Sequence, residues 1–151
     1  MRDPREELEE LTWLLEELRD RPADQVILVE GLKDRGALTV LGVGGEVWQV
    51  QGPKSIFSIA EKLALENKQA IILTDWDRKG GQLASMLRSA LKANGIRFDD
   101  NIRLRLVILV KKDIKDIESL PAFYSRLVGL SQNPAVIEKF DNLKKIMDRE
   151  R

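Results

Sequence analysis

Hydrophobic and polar residues alternate along the chain with two different periods. Leucines recur at three- and four-residue spacing within residues 4–20, which predicts an amphipathic N-terminal helix. Residues 25–30 (QVILVE) form a continuous apolar run rich in β-branched residues, which is typical of a strand buried on both faces. Similar segments predict further strands at 46–50 (EVWQV), 70–74 (AIILT) and 103–110 (RLRLVILV).

Helices are predicted between and after these strands. The first of them ends at about Leu41. The others span 55–66, 81–94 and 116–129, and the last is the charged segment that starts at Asn133-Pro134. Ser55 is a candidate N-cap, and Asn94-Gly95 is a candidate C-terminal cap pair. Because strands alternate with helices through the middle of the chain, the pattern indicates a parallel sheet covered on both faces.

The predicted fold class is therefore α/β. We expect a Rossmann-like three-layer fold with a parallel four-stranded sheet, in strand order 2-1-3-4, plus N- and C-terminal helices. A length of 151 residues suits one domain, so 1–151 is predicted to be a single domain. Residues 4–20 and 116–151 are predicted to be helical additions to its core.

Composition restricts the chemistry that the chain can perform. It contains no cysteine and no histidine, which excludes disulfides, zinc sites of the usual kind and histidine-based catalytic triads. Any metal site must use carboxylates, whose hard oxygen atoms favour Mg²⁺, Mn²⁺ or Ca²⁺. The apolar runs are shorter than the roughly 18 residues of a membrane span, and the acidic N-terminus lacks a signal sequence. We therefore expect a cytoplasmic protein without a membrane partner.

Charge is balanced overall but unevenly distributed. Lysine and arginine number 25, as do aspartate and glutamate. Residues 1–20 contain eight acidic and three basic side chains, whereas residues 78–115 contain ten basic and three acidic ones. The basic sector could contact a phosphate backbone, but it could equally be a set of solvated faces.

Carboxylates follow the predicted strands at the edge where parallel sheets bind ligands. Glu30 ends the first strand, Asp75 and Asp77 follow the third, and Lys111, Lys112 and Asp113 follow the fourth. If the first and third strands are neighbours, Glu30 faces the two aspartates. We expect Glu30, Asp75 and Asp77 to hold one or two Mg²⁺ ions, for which Mn²⁺ could substitute. A glutamate beside like charges also suits a general acid or base.

Several other residues are weaker candidates. Asp34 and Asp113 could add ligands, but either could instead be an acidic residue at the start of a helix. Trp76 could stack on a base, although packing is the simpler interpretation.

Phosphate could be bound by residues next to the aspartates. Arg78 and Lys79 follow them directly, and Lys54 lies after the second predicted strand. Gly80 and Gly81 would let a phosphate approach the N-terminus of the next helix. Each lysine or arginine could instead be simply solvated.

The segments VILVEGLKD and IILTDWDRKGGQLA, in this order and each after an apolar strand, resemble the Toprim domain. The resemblance covers residues 25–112 and is nearest to small, stand-alone Toprim proteins of archaeal type. It implies that Glu30 acts as acid or base in phosphodiester transfer and that Asp75 and Asp77 hold Mg²⁺. Asp34 matches an aspartate that primase-like members often carry.

The chain also departs from the larger members of that family. Its only tyrosine, Tyr124, lies in a predicted helix without the partner domain of a topoisomerase, and the zinc modules of primases are excluded. We expect a Mg²⁺-dependent phosphodiester hydrolase or nucleotidyl transferase acting on DNA or RNA. Two alternatives remain: a non-catalytic, metal-dependent nucleic-acid or protein module of a larger complex, and an enzyme acting on a small nucleotide or phosphate.

Overall fold

The computed structural model describes residues 2–150. The helices are α1 (Pro4–Arg19), α2 (Leu32–Val40), α3 (Pro53–Leu65), α4 (Arg78–Ala93), α5 (Asn101–Val110), α6 (Leu120–Ser131) and α7 (Pro134–Arg149). The strands are β1 (Gln25–Val29), β2 (Val47–Gln49), β3 (Gln69–Ile72) and β4 (Phe98–Asp99). No helix in this part of the chain is long and apolar enough to cross a membrane.

The four strands form one parallel sheet in the order β2-β1-β3-β4. Leu28 of β1 lies opposite Trp48 of β2 and Ile72 of β3, so β1 and β3 end side by side. This arrangement confirms the predicted α/β, Rossmann-like three-layer fold with strand order 2-1-3-4.

Alternate residues of the central strands are buried in two separate hydrophobic cores. Val26 and Leu28 pack in a cluster with the apolar residues of α3 and α4. Ile27 and Val29 pack in the other cluster, which contains apolar residues of α1, α2, α5 and α6. Because successive strand residues point to opposite faces, a continuous apolar run serves both cores.

The leucine stripe of α1 is part of the second core. Leu11, Leu15 and Leu18 are essentially buried, and Leu8 packs against the same cluster. Asp3 is the N-cap of the helix, and its carboxylate accepts a hydrogen bond from the Arg5 amide. The predicted amphipathic helix is thus present and covers the sheet.

One predicted strand is wrong: residues 103–110 belong to helix α5, and the fourth strand is the two-residue β4. The buried positions of α5 follow a helical spacing and are Ile102, Leu106, Leu109 and Val110. Leu104 and Ile108 are 56% and 61% exposed, as expected on the outer side of a helix. The Asp99 carboxylate accepts hydrogen bonds from two amides at the start of α5 and so favours the turn into this helix. A short apolar run does not distinguish strand from helix by its period alone.

Helix boundaries differ in smaller ways. Helix α3 is capped by Gly52, with φ of +107°, and the predicted N-cap Ser55 lies inside it, donating its hydroxyl to the Gly52 carbonyl. Helix α4 begins at Arg78 and not at 81. Helix α6 begins at Leu120, four residues after the predicted start.

Two predicted caps are confirmed. Asn94 is the C-cap of α4, and Gly95 follows it with φ of +66°, a backbone conformation that favours glycine. Asn133 is the N-cap of α7 and accepts a hydrogen bond from the Ala135 amide, with Pro134 in the first turn.

Candidate functional site

The ends of β1 and β3 bring two carboxylates together. Glu30 immediately follows β1, and Asp75 lies three residues beyond β3. The Asp75 amide donates a hydrogen bond to Glu30 Oε2 at 3.0 Å. The two acids that sequence places far apart therefore meet at the carboxyl edge of the sheet, between its central strands.

Asp75 has an environment that favours its protonated form. Burial raises the pKa of Asp75 to about 8, and its hydrogen bond with the Glu30 side chain and the negative charges of Asp34 and Glu30 act in the same direction. The Ile117 amide donates to Asp75 Oδ1 at 3.0 Å, which opposes this shift. The raised pKa favours the protonated form of Asp75 near neutral pH.

Asp34 lies behind this pair, in the first turn of α2. It is 6% exposed, and its Oδ2 accepts a hydrogen bond from the Gly31 amide at 3.2 Å. Burial raises the pKa of the Asp34 carboxyl, and the negative charges of Glu30, Asp116 and Glu118 raise it further. Asp34 thus has a structural role at the start of α2 and adds negative potential to the site.

Asp77 has a different position from Asp75. It is exposed and is the N-cap of α4, where its Oδ1 accepts a hydrogen bond from the Gly80 amide at 2.7 Å. Its carbonyl accepts from the Gly81 amide at 2.9 Å. Gly80 and Gly81 are candidates for phosphate binding, but their backbone N–H groups are already hydrogen-bonded within the protein.

Gly80 allows α4 to begin in contact with the end of β3. A Cβ atom added at Gly80 would lie 2.0 Å from the Asp75 carbonyl oxygen, so no other residue fits there without a shift of the backbone. The buried Thr74 hydroxyl donates to the Gly80 carbonyl at 2.8 Å and fixes the same contact. This glycine positions Asp75 and Asp77, whereas a Cβ atom added at Gly81 would have nothing within 4 Å.

The carboxylates suit a magnesium ion that is also bound by substrate. Within residues 2–150 no three histidine, cysteine, aspartate or glutamate side chains are placed to hold a metal, so Glu30, Asp75 and Asp77 do not form a closed cage. Mg²⁺ in enzymes often uses one or two protein carboxylates together with waters and substrate phosphates. The oxygen-only donors of Glu30 and Asp75 fit this mode of binding.

Arg103 is a residue near the site that sequence reasoning missed. Its Nε donates to the Thr74 carbonyl at 2.9 Å, and its Nη2 donates to the Asp75 carbonyl at 2.7 Å. The guanidinium thus fixes the segment after β3 from the side of α5. The apolar pattern of 103–110 does not predict this contact, because a strand and a helix both fit its period.

The segment between α5 and α6 contacts Trp76 and Asp75, and sequence reasoning also missed these contacts. The Trp76 amide donates to the Lys115 carbonyl, and the Trp76 indole Nε1 donates to the Ile114 carbonyl at 2.7 Å. Trp76 is partly buried against the core, so packing explains this residue. The segment also contributes the Ile117 amide to Asp75.

The remaining candidates lie around this edge of the sheet. Asp113 follows a helix and not a strand, and its carboxylate accepts a hydrogen bond from Arg126 at 3.0 Å. The premise that placed Asp113 beside the other acids is therefore wrong. Lys54, Arg78 and Lys79 are exposed in the first turns of α3 and α4.

Comparison with known proteins finds relatives named UPF0292 protein. The chain is 38% identical to one from Methanosarcina barkeri over 122 residues, which are 81% of this chain and 83% of the relative. It is 40% identical to one from Thermococcus sibiricus over 127 residues, or 83% and 96% of the two chains. A solved structure of an Aquifex aeolicus protein has a TM-score of 0.60 and 30% identity, covering 72% of this chain and 96% of that one. No protein-family model matches the chain.

Proposed function

The chain belongs to the UPF0292 family, and we propose that it is a Mg²⁺-binding protein of Toprim type that acts on nucleic-acid phosphodiesters. The observation that carries this proposal is the contact between Glu30 and Asp75 at the carboxyl edge of the sheet. A pair of adjacent carboxylates, one protonated near neutral pH, is an arrangement suited to metal binding and proton transfer.

The two carboxylates have different roles in this proposal. Asp75 would hold the cation through its carboxylate after losing its proton to solvent, and Mn²⁺ could replace Mg²⁺ there. When bound, the cation stabilises the negative charge that develops on phosphodiester oxygens. Glu30 acts as the general acid or base, because its carboxylate is oriented by the Asp75 amide and lies beside the Asp75 carboxyl group.

Other residues position the substrate. Lys54, Arg78 and Lys79 are exposed at the helix N-termini on the same edge, so they are the candidates for contacts to flanking phosphates. Asp77 orders the first turn of α4 through Oδ1, and its other carboxylate oxygen would be available to help hold the cation. Arg103 holds the Thr74 and Asp75 carbonyls and keeps the Asp75 side chain in place.

The test is turnover of labelled single-stranded DNA, RNA and nucleotides, with and without Mg²⁺. We expect activity that requires Mg²⁺ or Mn²⁺ and that falls at least about 100-fold in Glu30→Gln. Glu61→Gln is the matched control, because Glu61 is an exposed acid of α3 away from the carboxylate pair. Equal activity of Glu30→Gln and Glu61→Gln would contradict the catalytic role of Glu30.

A second function is a non-catalytic, metal-dependent module that binds nucleic acid. The use of the Asp77 carboxylate as a helix cap, with no three-ligand group in residues 2–150, favours it. It predicts binding that survives Glu30→Gln but weakens when Asp75 and Asp77 both become Asn. If calorimetry detects neither Mg²⁺ nor Mn²⁺ binding in the presence of an oligonucleotide, both functions lose their metal site.

A further inference from the structure

Helices α3 and α4 leave an open groove between them on the outer side of the protein. It has a volume of about 500 Å³ and is lined by Pro53, Ile56 and Phe57 of α3 and by Ser85, Met86 and Ser89 of α4. The Phe57 side chain is 64% exposed and that of Met86 is 42% exposed. An aromatic ring and a thioether are thus presented to solvent with two hydroxyl groups beside them.

The helices around this groove carry an excess of positive charge. The charged residues of α4 are all basic: Arg78, Lys79, Arg88 and Lys92. Helix α3 has two lysines and one glutamate. Arg88 lies 3.6 Å from Asp100, which is outside both helices. The charge of this surface is complementary to a polyanion.

The groove lies along two helices that lead away from the edge that holds Glu30 and Asp75. Helix α3 follows β2 and α4 follows β3, so both helices begin at that edge. At 1.5 Å per residue, Phe57 lies about 6 Å from the start of α3, and Ser85 lies about 12 Å from the cap of α4. Lys54 and Arg78 are on the first turns of α3 and α4.

We propose that this groove binds the bases of a single-stranded nucleic acid, with one of its phosphates at the Glu30–Asp75 pair. Phe57 is a stacking platform for a base, Met86 packs against the neighbouring base, and Lys54 and Arg78 contact the phosphates between the groove and the carboxylates. The strand must be single because the base faces of a duplex are covered by stacking. This inference rests on the proposed function for the phosphate at the carboxylates, but the groove can be tested without it.

The experiment measures binding of fluorescent oligonucleotides in EDTA, so that neither the metal nor turnover contributes. We expect the intact protein to bind single-stranded oligonucleotides more tightly than a duplex of the same sequence. Phe57→Ala is expected to weaken the binding about fivefold to a hundredfold, the usual loss for one base-stacking contact. Leu65→Ala is the matched control and should have no effect, because Leu65 is an 87% exposed residue at the far end of the same helix.

A second arm tests whether Phe57 contacts a base. With an abasic oligonucleotide of equal length and charge, Phe57→Ala and the intact protein should bind alike, and Phe57→Trp should retain the affinity for the normal strand. Lys54→Ala should weaken both oligonucleotides equally and reduce the salt dependence of binding. DNA and RNA strands are compared in parallel, since stacking and phosphate contacts serve both.

Three results would overturn the proposal: a preference for duplex, equal binding by Phe57→Ala and Leu65→Ala, or a Phe57 effect that persists with the abasic strand. If Phe57→Ala leaves oligonucleotide binding unchanged but converts a dimer to a monomer in sedimentation, the groove is a contact between copies of this chain. Failure here is separable from failure of the proposed function, which is judged by Mg²⁺ binding and by Glu30→Gln.

Discussion

The two faces of the sheet use charge in opposite ways. On one face, α1 carries six glutamates and two arginines, and several of its charges form ion pairs, such as Glu17 with Arg105 and Arg5 with Asp141. On the other face, Lys54, Arg78 and Lys79 form no ion pair with any other residue in the range 2–150. The protein is neutral as a whole. The difference is that charges of the first face take part in ion pairs within the protein, whereas these three basic residues of the second face remain solvated.

The helices on the two faces also differ in whether they contact the segment that holds the carboxylate pair. Helix α4 begins with a backbone contact to β3 that only glycine permits. Helix α1 is distant in sequence and contributes a leucine stripe to the core. The first face should therefore tolerate changes in charge, and the second should be sensitive to changes in backbone at the site.

The largest expected effect is from Gly80→Ala. The new Cβ would lie 2.0 Å from the Asp75 carbonyl oxygen, so α4 must move away from β3. We expect a loss of about 4 kcal/mol in the free energy of unfolding, measured by urea denaturation. Gly81→Ala, in the same turn but with nothing within 4 Å, is expected to be neutral or to stabilise the helix by about 0.5 kcal/mol. Equal effects of the two changes would show that the close contact does not determine the position of α4.

The second effect is from Leu15→Ala on the opposite face. Leu15 is 1% exposed in the cluster that α1 shares with α5 and α6, so its truncation leaves a cavity. We expect a loss of about 3 kcal/mol by urea denaturation, with little change in oligonucleotide binding if the protein is still folded. Trp13→Ala is the control in the same helix, because Trp13 is 61% exposed, and it should cost less than about 1 kcal/mol.

The third effect depends on pH. The pKa of Asp75 is about 8 in the folded protein against an ordinary value of 3.8. Between these values the folded state binds more protons than the unfolded state, so the stability of the metal-free protein falls as pH rises through this window. Asn carries no such charge and can still accept the Ile117 hydrogen bond. We expect Asp75→Asn to stabilise the protein by about 1 to 2 kcal/mol near pH 8 and by almost nothing near pH 4. The gain is below the full linkage value because the half-buried carboxyl retains some solvation.

This prediction also distinguishes a metal site from a structural one. Adding Mg²⁺ at pH 8 should raise the melting temperature of the wild-type protein and leave that of Asp75→Asn unchanged. Asp24→Asn, at an exposed acid before β1, is the control and should follow the wild type in both buffers. A wild type that is no less stable than Asp75→Asn at pH 8 without metal would contradict the protonated state of Asp75.

The smallest effect is expected from the ion pairs of the first face. Glu17 and Arg105 are 3.0 Å apart, and both side chains are about one-third exposed. Glu17→Gln should cost less than about 1 kcal/mol, and the loss should shrink at high salt. Thermal melting at low and high salt measures it, with Glu16→Gln, an exposed residue of the same helix, as the control. A loss of more than about 2 kcal/mol would show that this pair contributes more to stability than an exposed ion pair usually does.

The meeting of Glu30 and Asp75 was predictable from sequence because it depends on topology. Each follows a short apolar run rich in β-branched residues, which favours a buried strand, and neighbouring parallel strands end at one edge. The individual functions were less predictable. Asp75 faces the site, whereas Asp77 caps the next helix. This difference depends on the direction of the backbone after β3.

The error at 103–110 explains most of what was missed. That run contains apolar residues at both strand and helix spacing, so its period did not decide between them. Packing against α1 decided it, and as a helix it brings Arg103 to the Thr74 and Asp75 carbonyls. The segment after it then reaches back to Trp76 and Asp75. Neither contact could be predicted while the run was assigned to a strand.

The sequence by itself determined the alternation of strands and helices, and so the α/β fold class, as well as the absence of cysteine and histidine, because these depend on the local periodicity and on which residue types are present. The strand order was predicted from the common arrangement of such sheets, and the structure confirms it. Only the tertiary structure decided that Asp75 is half-buried and protonated near neutral pH, that Asp77 is a helix cap and that Gly80 is a point of close approach. It also decided that Phe57 of α3 and Met86 of α4 line one groove. The physical reason is that burial, close backbone contact and the alignment of two helices depend on residues far apart in the chain, which no local pattern specifies.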